Sequence, residues 1–225
     1  MRVRQMAISI LFIAIIIGIL FLFALYMYEN SPFSKTTGYT FIDLWTDKKI
    51  KSLYKIVRAL PKESDNYKIL FNLVLPNNRN VDMVILHEAG IFVTDIKNLG
   101  GWIFGREQDS LWAQALHKDK LIKFNNPIID TKLAILDLKE VLPNLARGHF
   151  QSLIVFNDNC SFNKIEIHSQ NVDVVKVKEL KNYWKNDLDK KITTEEINKI
   201  YNALEKYVSF KENKKQPSIN NITAN

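Results

Sequence analysis

The sequence predicts an α/β domain, a mixed β-sheet flanked by helices, behind one N-terminal transmembrane helix. Three observations carry that prediction. Residues 7–28 hold no charge and no proline. Residues 81–86 and 91–97 are dense in β-branched side chains and are separated by His87-Glu88-Ala89-Gly90, a turn whose glycine accepts a positive φ. Helix-periodic segments stand before and after this pair, at 46–60 and 128–142.

The first element is the apolar run. At about 1.5 Å per residue it reaches roughly 33 Å as a helix, enough to cross a bilayer. A cleavable signal peptide is the competing reading, but the run exceeds the usual apolar core of such peptides, and residues 23–28 offer no small-x-small cleavage site. Tyr26 and Tyr28 fall where interfacial aromatics belong. Arg2 and Arg4 precede the span, whereas Lys35 is the lone basic residue between 29 and 45, so the positive-inside rule puts the N-terminus in the cytoplasm and the large domain outside. The expected setting is a single-pass protein of a bacterial cytoplasmic membrane, contacting the bilayer through residues 7–28.

Beyond the anchor, 1–30, the segment 31–45 contains Pro32, Gly38 and several Ser/Thr and reads as a juxtamembrane linker. Residues 46–60 place Ile50, Leu53, Tyr54, Val57 and Leu60 at helical spacing, with Thr46 or Asp47 as cap and Pro61 as stop. Residues 67–76 form a strand leading into the polar turn Asn77-Asn78-Arg79-Asn80, and the hairpin follows. Segments 100–105 and 111–116 form a second antiparallel pair, extended by 121–124; Trp102 and Trp112 are expected to pack the sheet rather than stack on bases. Residues 128–142 carry Ile129, Leu133, Leu136 and Val141 in an amphipathic pattern stopped by Pro143, and 152–156 make a short buried strand. Two helices are expected at 174–188 and 193–210, the second with Ile197, Ile200, Tyr201, Leu204 and Tyr207 on one apolar face that serves the core or a protein partner. The domain proper is 46–160, with 161–210 as its annex and 211–225 as a disordered tail without apolar periodicity.

The central hairpin has a chemical consequence. With a four-residue turn, Leu86 faces Ile91 and Asp82 lies directly across from Asp95, while Lys97, two residues on, shares the face of Asp95. Opposed carboxylates repel unless something positive sits between them. A hard divalent cation, Mg²⁺ or alternatively Mn²⁺, fits such a gap. Asp82, Asp95 and the Ile96 backbone carbonyl are the candidate ligands, and Lys97 the group that orients a nucleophile or stabilises developing charge. The bland alternative is an ordinary hairpin whose surface aspartates pair with Lys97. Placement of these charges within an apolar stripe argues for use.

These residues also carry a family resemblance. The run 67–76, then Val81-Asp82-Met83-Val84, then 90–98, resembles the nuclease-related domain NERD, a branch of the PD-(D/E)xK nuclease superfamily. Gly100-Gly101-Trp102-Ile103-Phe104-Gly105, Trp112-Ala113-Gln114, Phe124-Asn125-Asn126-Pro127 and Leu153-Ile154-Val155-Phe156 agree in order and spacing. The resemblance implies a restriction-endonuclease-like core, metal-dependent phosphodiester hydrolysis, and nucleic acid as partner, DNA ahead of RNA. It assigns Asp47 to the first-helix acid and Gln114 to a polar position near the site, and it makes Lys132 and Lys139 candidates by position. Three departures stand out: Thr46-Asp47 replaces a glycine-glutamate pair, Asp95-Ile96-Lys97 replaces Glu-x-Lys, and Asp130 replaces a glutamine. Aspartate is one methylene shorter than glutamate, and an ångström of reach matters at a metal site.

Composition bounds the alternatives. The chain is +7, and +5 without Arg2 and Arg4, which favours a polyanionic partner such as nucleic acid or an anionic membrane surface. The single cysteine, Cys160, excludes an intrachain disulfide and reads as a small buried hydrophobe, and no His/Cys spacing fits structural zinc. His87, His117, His149 and His168 read as surface or structural. No base-reading motif is present, so little sequence specificity is expected. The rivals are a catalytically weakened module acting as a tethered nucleic-acid-binding or assembly subunit, and a structural membrane protein recruiting a partner through its C-terminal helix.

Overall fold

The computed structural model describes residues 2–60, 67–117, 120–145, 147–185 and 189–209. Pro61 and the expected tail at 211–225 lie outside the described residues. In chain order the elements are α1 (Arg2–Glu29), α2 (Pro32–Thr37), α3 (Phe41–Thr46), α4 (Lys48–Ala59), β1 (Tyr67–Val74), β2 (Asn80–His87), β3 (Gly90–Lys97), β4 (Gly101–Arg106), β5 (Leu111–His117), β6 (Lys120–Asn125), α5 (Pro127–Val141), β7 (Phe150–Phe156), β8 (Cys160–Glu166), β9 (Val172–Lys176), α6 (Leu180–Tyr183) and α7 (Thr194–Leu204). Two mixed sheets result, in orders β1-β2-β3-β7-β9 and β6-β5-β4-β8.

The hairpin organises the larger sheet. Leu86 pairs with Ile91 as the alternation predicts, and His87 pairs with Gly90, so the turn tightens to Glu88-Ala89. Gly90 has φ +138°, and a side chain there would meet the His149 carbonyl at 2.6 Å. This glycine therefore serves the turn and the close passage of the chain entering β7. β1 pairs antiparallel with β2, whereas β7 and β9 add in parallel.

Alternation along β2 and β3 sends side chains to two cores. Met83, Ile85, Phe92 and Ile96 meet Ile50, Leu53 and Ile56 of α4, together with Leu180 and Trp184. Val84, Leu86, Ile91 and Val93 meet Ala134 and Leu138 of α5 and Ile197, Ile200 and Leu204 of α7. The apolar face of the C-terminal helix is thus spent on the chain's own sheet, which removes it as the expected partner surface. A third cluster, including Ile103, Trp112, Ile128, Ile154 and Phe156, joins the smaller sheet to the larger.

Four expectations are corrected. The segment 31–45 is two short helices rather than a linker: Ser31 caps α2, and Thr40 with Asp43 makes a capping box on α3. Residues 172–176 are strand, because Val172, Val174 and Val175 add to β7; the helix expected at 174–188 shrinks to α6, and 186–188 lie outside the described residues. The single sheet expected is two: the antiparallel pair expected at 100–116 forms, as β4 and β5, but in a separate sheet that the distant β8 joins in parallel with β4. Trp112 is buried and stacked on Phe156, as expected of a packing residue, but Trp102 is 55% exposed. Cys160 is buried, its Sγ donating to the Asn157 carbonyl.

α1 is long and apolar enough to cross a membrane, and none of its apolar window is buried within the protein.

Candidate functional site

Continuing the β2–β3 register one pair beyond Met83–Thr94 sets Asp82 opposite Asp95. Both carboxylates face the α5 side of the sheet, and the strands end there in a cleft of about 280 Å³. Its walls are Asn80, Val81, Asp82, Val93, Thr94, Asp95, Ile96 and Lys97 from the hairpin, Lys49 from α4, Arg79 from the β1–β2 turn, and Asp130, Thr131 and Ala134 from α5.

Charges in the cleft are paired, within β3 and between α4 and β2. Lys97 Nζ lies 2.9 Å from Asp95 Oδ2, and Lys49 Nζ lies 2.7 Å from Asp82 Oδ1. Arg79 donates from Nε to Asp137 Oδ2 at 2.6 Å, and the same carboxylate accepts from Asn77 Nδ2 at 2.9 Å, which fixes the β1–β2 turn against α5. Burial pushes the Asp95 carboxyl above its ordinary range; Lys97 pulls it back, while the charges of Asp82 and Asp130 push it up again. Burial therefore disfavours the ionised form of Asp95 even with Lys97 beside it.

Two expected residues lie elsewhere. Asp47 is the N-cap of α4, its Oδ1 accepting from the backbone N–H groups of Lys49 at 2.7 Å and Ile50 at 3.3 Å. Gln114 is buried in the smaller sheet and donates from Nε2 to the Gly100 carbonyl at 2.7 Å. Asp47 meets the cleft only through the helix that delivers Lys49. Lys132 points away from it, to Glu107 at 2.6 Å, and Lys139 is not among its lining residues. His87 is structural, its Nδ1 accepting from the Ala89 N–H at 3.1 Å. Lys49 and Arg79 were not foreseen as site residues. The only signal for Lys49 was its place in the first turn after Asp47, since its pairing with Asp82 crosses from helix to strand.

A divalent cation can be tested against this donor set. The cleft offers hard carboxylate oxygens and no nitrogen or sulfur ligand, which suits Mg²⁺ or Mn²⁺ and not zinc. Among the described residues no group of three or more His, Cys, Asp or Glu side chains is arranged to hold a metal ion. Two carboxylates are nevertheless the usual protein share for Mg²⁺, which keeps several waters and takes further oxygens from substrate phosphates. The residues fit a weakly held, substrate-completed ion.

Comparison with known proteins bears on the segment that forms the cleft. Residues 48–157 match the family model of the nuclease-related domain, NERD. An uncharacterized protein of Bacillus anthracis is 25% identical over 166 residues, covering 69% of this chain and 75% of its own length. No solved structure matches the chain. The segment matched begins at the first residue of α4 and ends just past β7, so it contains the hairpin, α5 and every wall of the cleft: residues 48–157 are a nuclease-related domain of the NERD type.

Proposed function

We propose that this protein is a membrane-anchored nuclease that hydrolyses nucleic acid phosphodiester bonds with Mg²⁺ or Mn²⁺ and little sequence specificity. The observation that carries this reading is the meeting of Asp82, Asp95 and Lys97 in one cleft of a nuclease-related domain. Asp82 and Asp95 would hold the cation, with the Ile96 carbonyl as a third protein oxygen. When bound, the cation supplies Lewis-acid polarisation of the phosphate and lowers the pKa of a water ligand. Lys97, already against Asp95, holds the attacking water or the charge that develops on the phosphoryl oxygens. Lys49 is free to turn from Asp82 to a substrate phosphate once a cation replaces it, and Arg79 adds fixed positive charge at the rim.

The path of the nucleic acid has support next to the cleft. Lys48, Lys51, Lys55 and Arg58 are exposed along α4, a helix without an acidic residue, and the stripe begins beside Lys49. Such a stripe attracts a phosphate backbone without reading bases. The anchor would be α1, spanning the bilayer through the uncharged run that starts at residue 7; Tyr28, expected at the membrane interface, is instead packed in the domain core. Asp47 acts as a positioning residue for Lys49, and Gln114 braces the smaller sheet through Gly100.

The second reading, a catalytically weakened module that binds nucleic acid or a partner without cleaving it, is favoured by one observation. Each carboxylate is already neutralised by a lysine. The full chain in detergent, incubated with fluorescent single- and double-stranded DNA and RNA in Mg²⁺ or Mn²⁺, separates the two. Metal-dependent cleavage lost in Asp95→Ala and Lys97→Ala supports the nuclease; binding without cleavage by the folded chain supports the weakened module.

A further inference from the structure

α3 is a short helix with an apolar face that none of the described residues covers. Phe41 and Leu44 pack onto the core beneath α4, but Ile42 and Trp45, three residues apart and so on one face, are 71% and 73% exposed. Among the described residues, a tryptophan and an isoleucine side by side make an uncovered apolar surface. The position of the helix says what covers it.

α3 lies beside the last turns of α1. The Phe41 ring contacts Phe21 at 5.9 Å and Tyr28 at 5.7 Å, edge to face in both cases. Tyr28 is itself buried in the domain core, where its hydroxyl donates to the Tyr39 carbonyl at 3.0 Å and its ring meets Tyr54 at 6.0 Å. The end of α1 is therefore built into the domain. Phe21 stands eight residues before the helix ends at Glu29, about 12 Å along the axis, and lies inside the uncharged run. A helix whose first residue touches both Phe21 and Tyr28 sits at the level where that run leaves the bilayer.

We infer that α3 is an interfacial helix, lying at the boundary between lipid headgroups and acyl chains with Ile42 and Trp45 inserted, and that it seats the domain at a fixed height on the membrane. The partner is the bilayer that α1 enters, and the inference rests on reading α1 as a membrane span. Trp45 matches the residue type that favours this zone. The Thr40–Asp43 capping box satisfies the exposed end of the helix with its own side chains, so backbone donors do not go unmatched as water thins out. The polar capping residues and the apolar pair thus divide between headgroup and acyl regions.

The test uses the full chain in phosphatidylcholine vesicles, carrying a bimane fluorophore at Ile42→Cys, at Leu121→Cys on the 60% exposed edge of the smaller sheet, or at Ile15→Cys within α1. The native Cys160 is buried and serves as the unlabelled control. Lipids bearing a nitroxide near the glycerol should quench the probe at 42, and aqueous iodide should quench it several-fold less than at 121. Iodide quenching equal to that at 121, or protection at 42 from both quenchers, would overturn the inference, the latter because protein rather than lipid would then cover the face. Quenching at 15 by mid-chain nitroxides tests the span separately, so failure of the anchor and failure of α3 to insert are distinguishable. The difference in emission between wild type and Trp45→Phe in brominated lipid gives the same answer without a label: quenching of the Trp45 contribution supports insertion, and its absence contradicts it.

Discussion

Glu107 is the residue whose replacement most directly reads how α5 is held over the cleft. Its carboxylate, in the β4–β5 turn, accepts from Lys132 Nζ of α5 at 2.6 Å, from the His168 N–H at 2.7 Å, from the Ser169 N–H at 2.9 Å and from the Ser169 hydroxyl. Burial works against ionisation, but these donors outweigh it and hold the carboxyl at about 2 rather than 4.5. That preference corresponds to about 3 kcal/mol, or about 2 kcal/mol once screening by solvent around the partly exposed Lys132 is allowed for. Glu107→Gln removes the charge and turns an amide N–H₂ toward the donors. In a chain of this size the loss predicts a melting temperature about 4–8 °C lower at pH 7. Because the folded pKa lies below the unfolded one, the stabilisation is complete above about pH 4.5 and fades as pH falls toward 2, where wild type and variant should converge. Thermal unfolding of the full chain in detergent, followed by circular dichroism across that range, measures both. A variant melting with wild type at pH 7, or a gap undiminished near pH 2, would refute the reasoning. Since Lys132 is two residues from Asp130, the variant should also lose activity without any change in the cleft's own side chains.

Other predictions follow from packing and charge. Gly105→Ala would place a methyl 2.2 Å from the Trp112 ring, which is buried against Phe156, and should cost about 1–3 kcal/mol in denaturant unfolding; a neutral result would contradict the packing of the third core. Tyr28→Ala opens a cavity among Phe33, Phe41 and Tyr54 and should destabilise the domain by about 2–4 kcal/mol, so a fragment starting at Ser31 should melt well below the full chain. Asp95→Asn relieves a carboxylate disfavoured by burial and by Asp82 and Asp130, at the cost of one partner for Lys97. Its stability should stay within about 1 kcal/mol of wild type or rise while cleavage is lost, and strong destabilisation would mean that the ion pair with Lys97 is structural.

What was legible in the sequence was what local periodicity encodes. The hairpin register followed from alternation in 81–86 and 91–97 and one glycine-bearing turn, and from it came the juxtaposition of Asp82, Asp95 and Lys97. What was hidden depends on distant residues. The pairing of Lys49 with Asp82 joins positions 33 apart, and the partnership of β4 with β8 joins segments about sixty residues apart, which no local pattern announces. Asp47 had two readings, cap or acid, and the backbone N–H groups of Lys49 and Ile50 take its carboxylate. The segment 31–45 was misread because Ser31, Pro32, Gly38 and Thr40 are residues of linkers and of helix caps alike; the aromatic contacts of Phe33 and Phe41 decided between them. Val174 and Val175 suit the start of a helix on paper, yet together with Val172 they add to the edge of β7 as strand.

The central claim is that Asp82 and Asp95 together make a divalent-cation site, and Mn²⁺ binding measured by electron paramagnetic resonance tests it most directly. The account predicts one bound ion in the full chain, lost in Asp82→Asn and in Asp95→Asn, retained in Asp47→Asn, and bound more tightly when a nucleic acid phosphate is present to complete its coordination. A folded chain that binds no Mn²⁺ with or without nucleic acid, or that binds it equally after both aspartates are replaced, would contradict the account and leave the non-catalytic module as the better description.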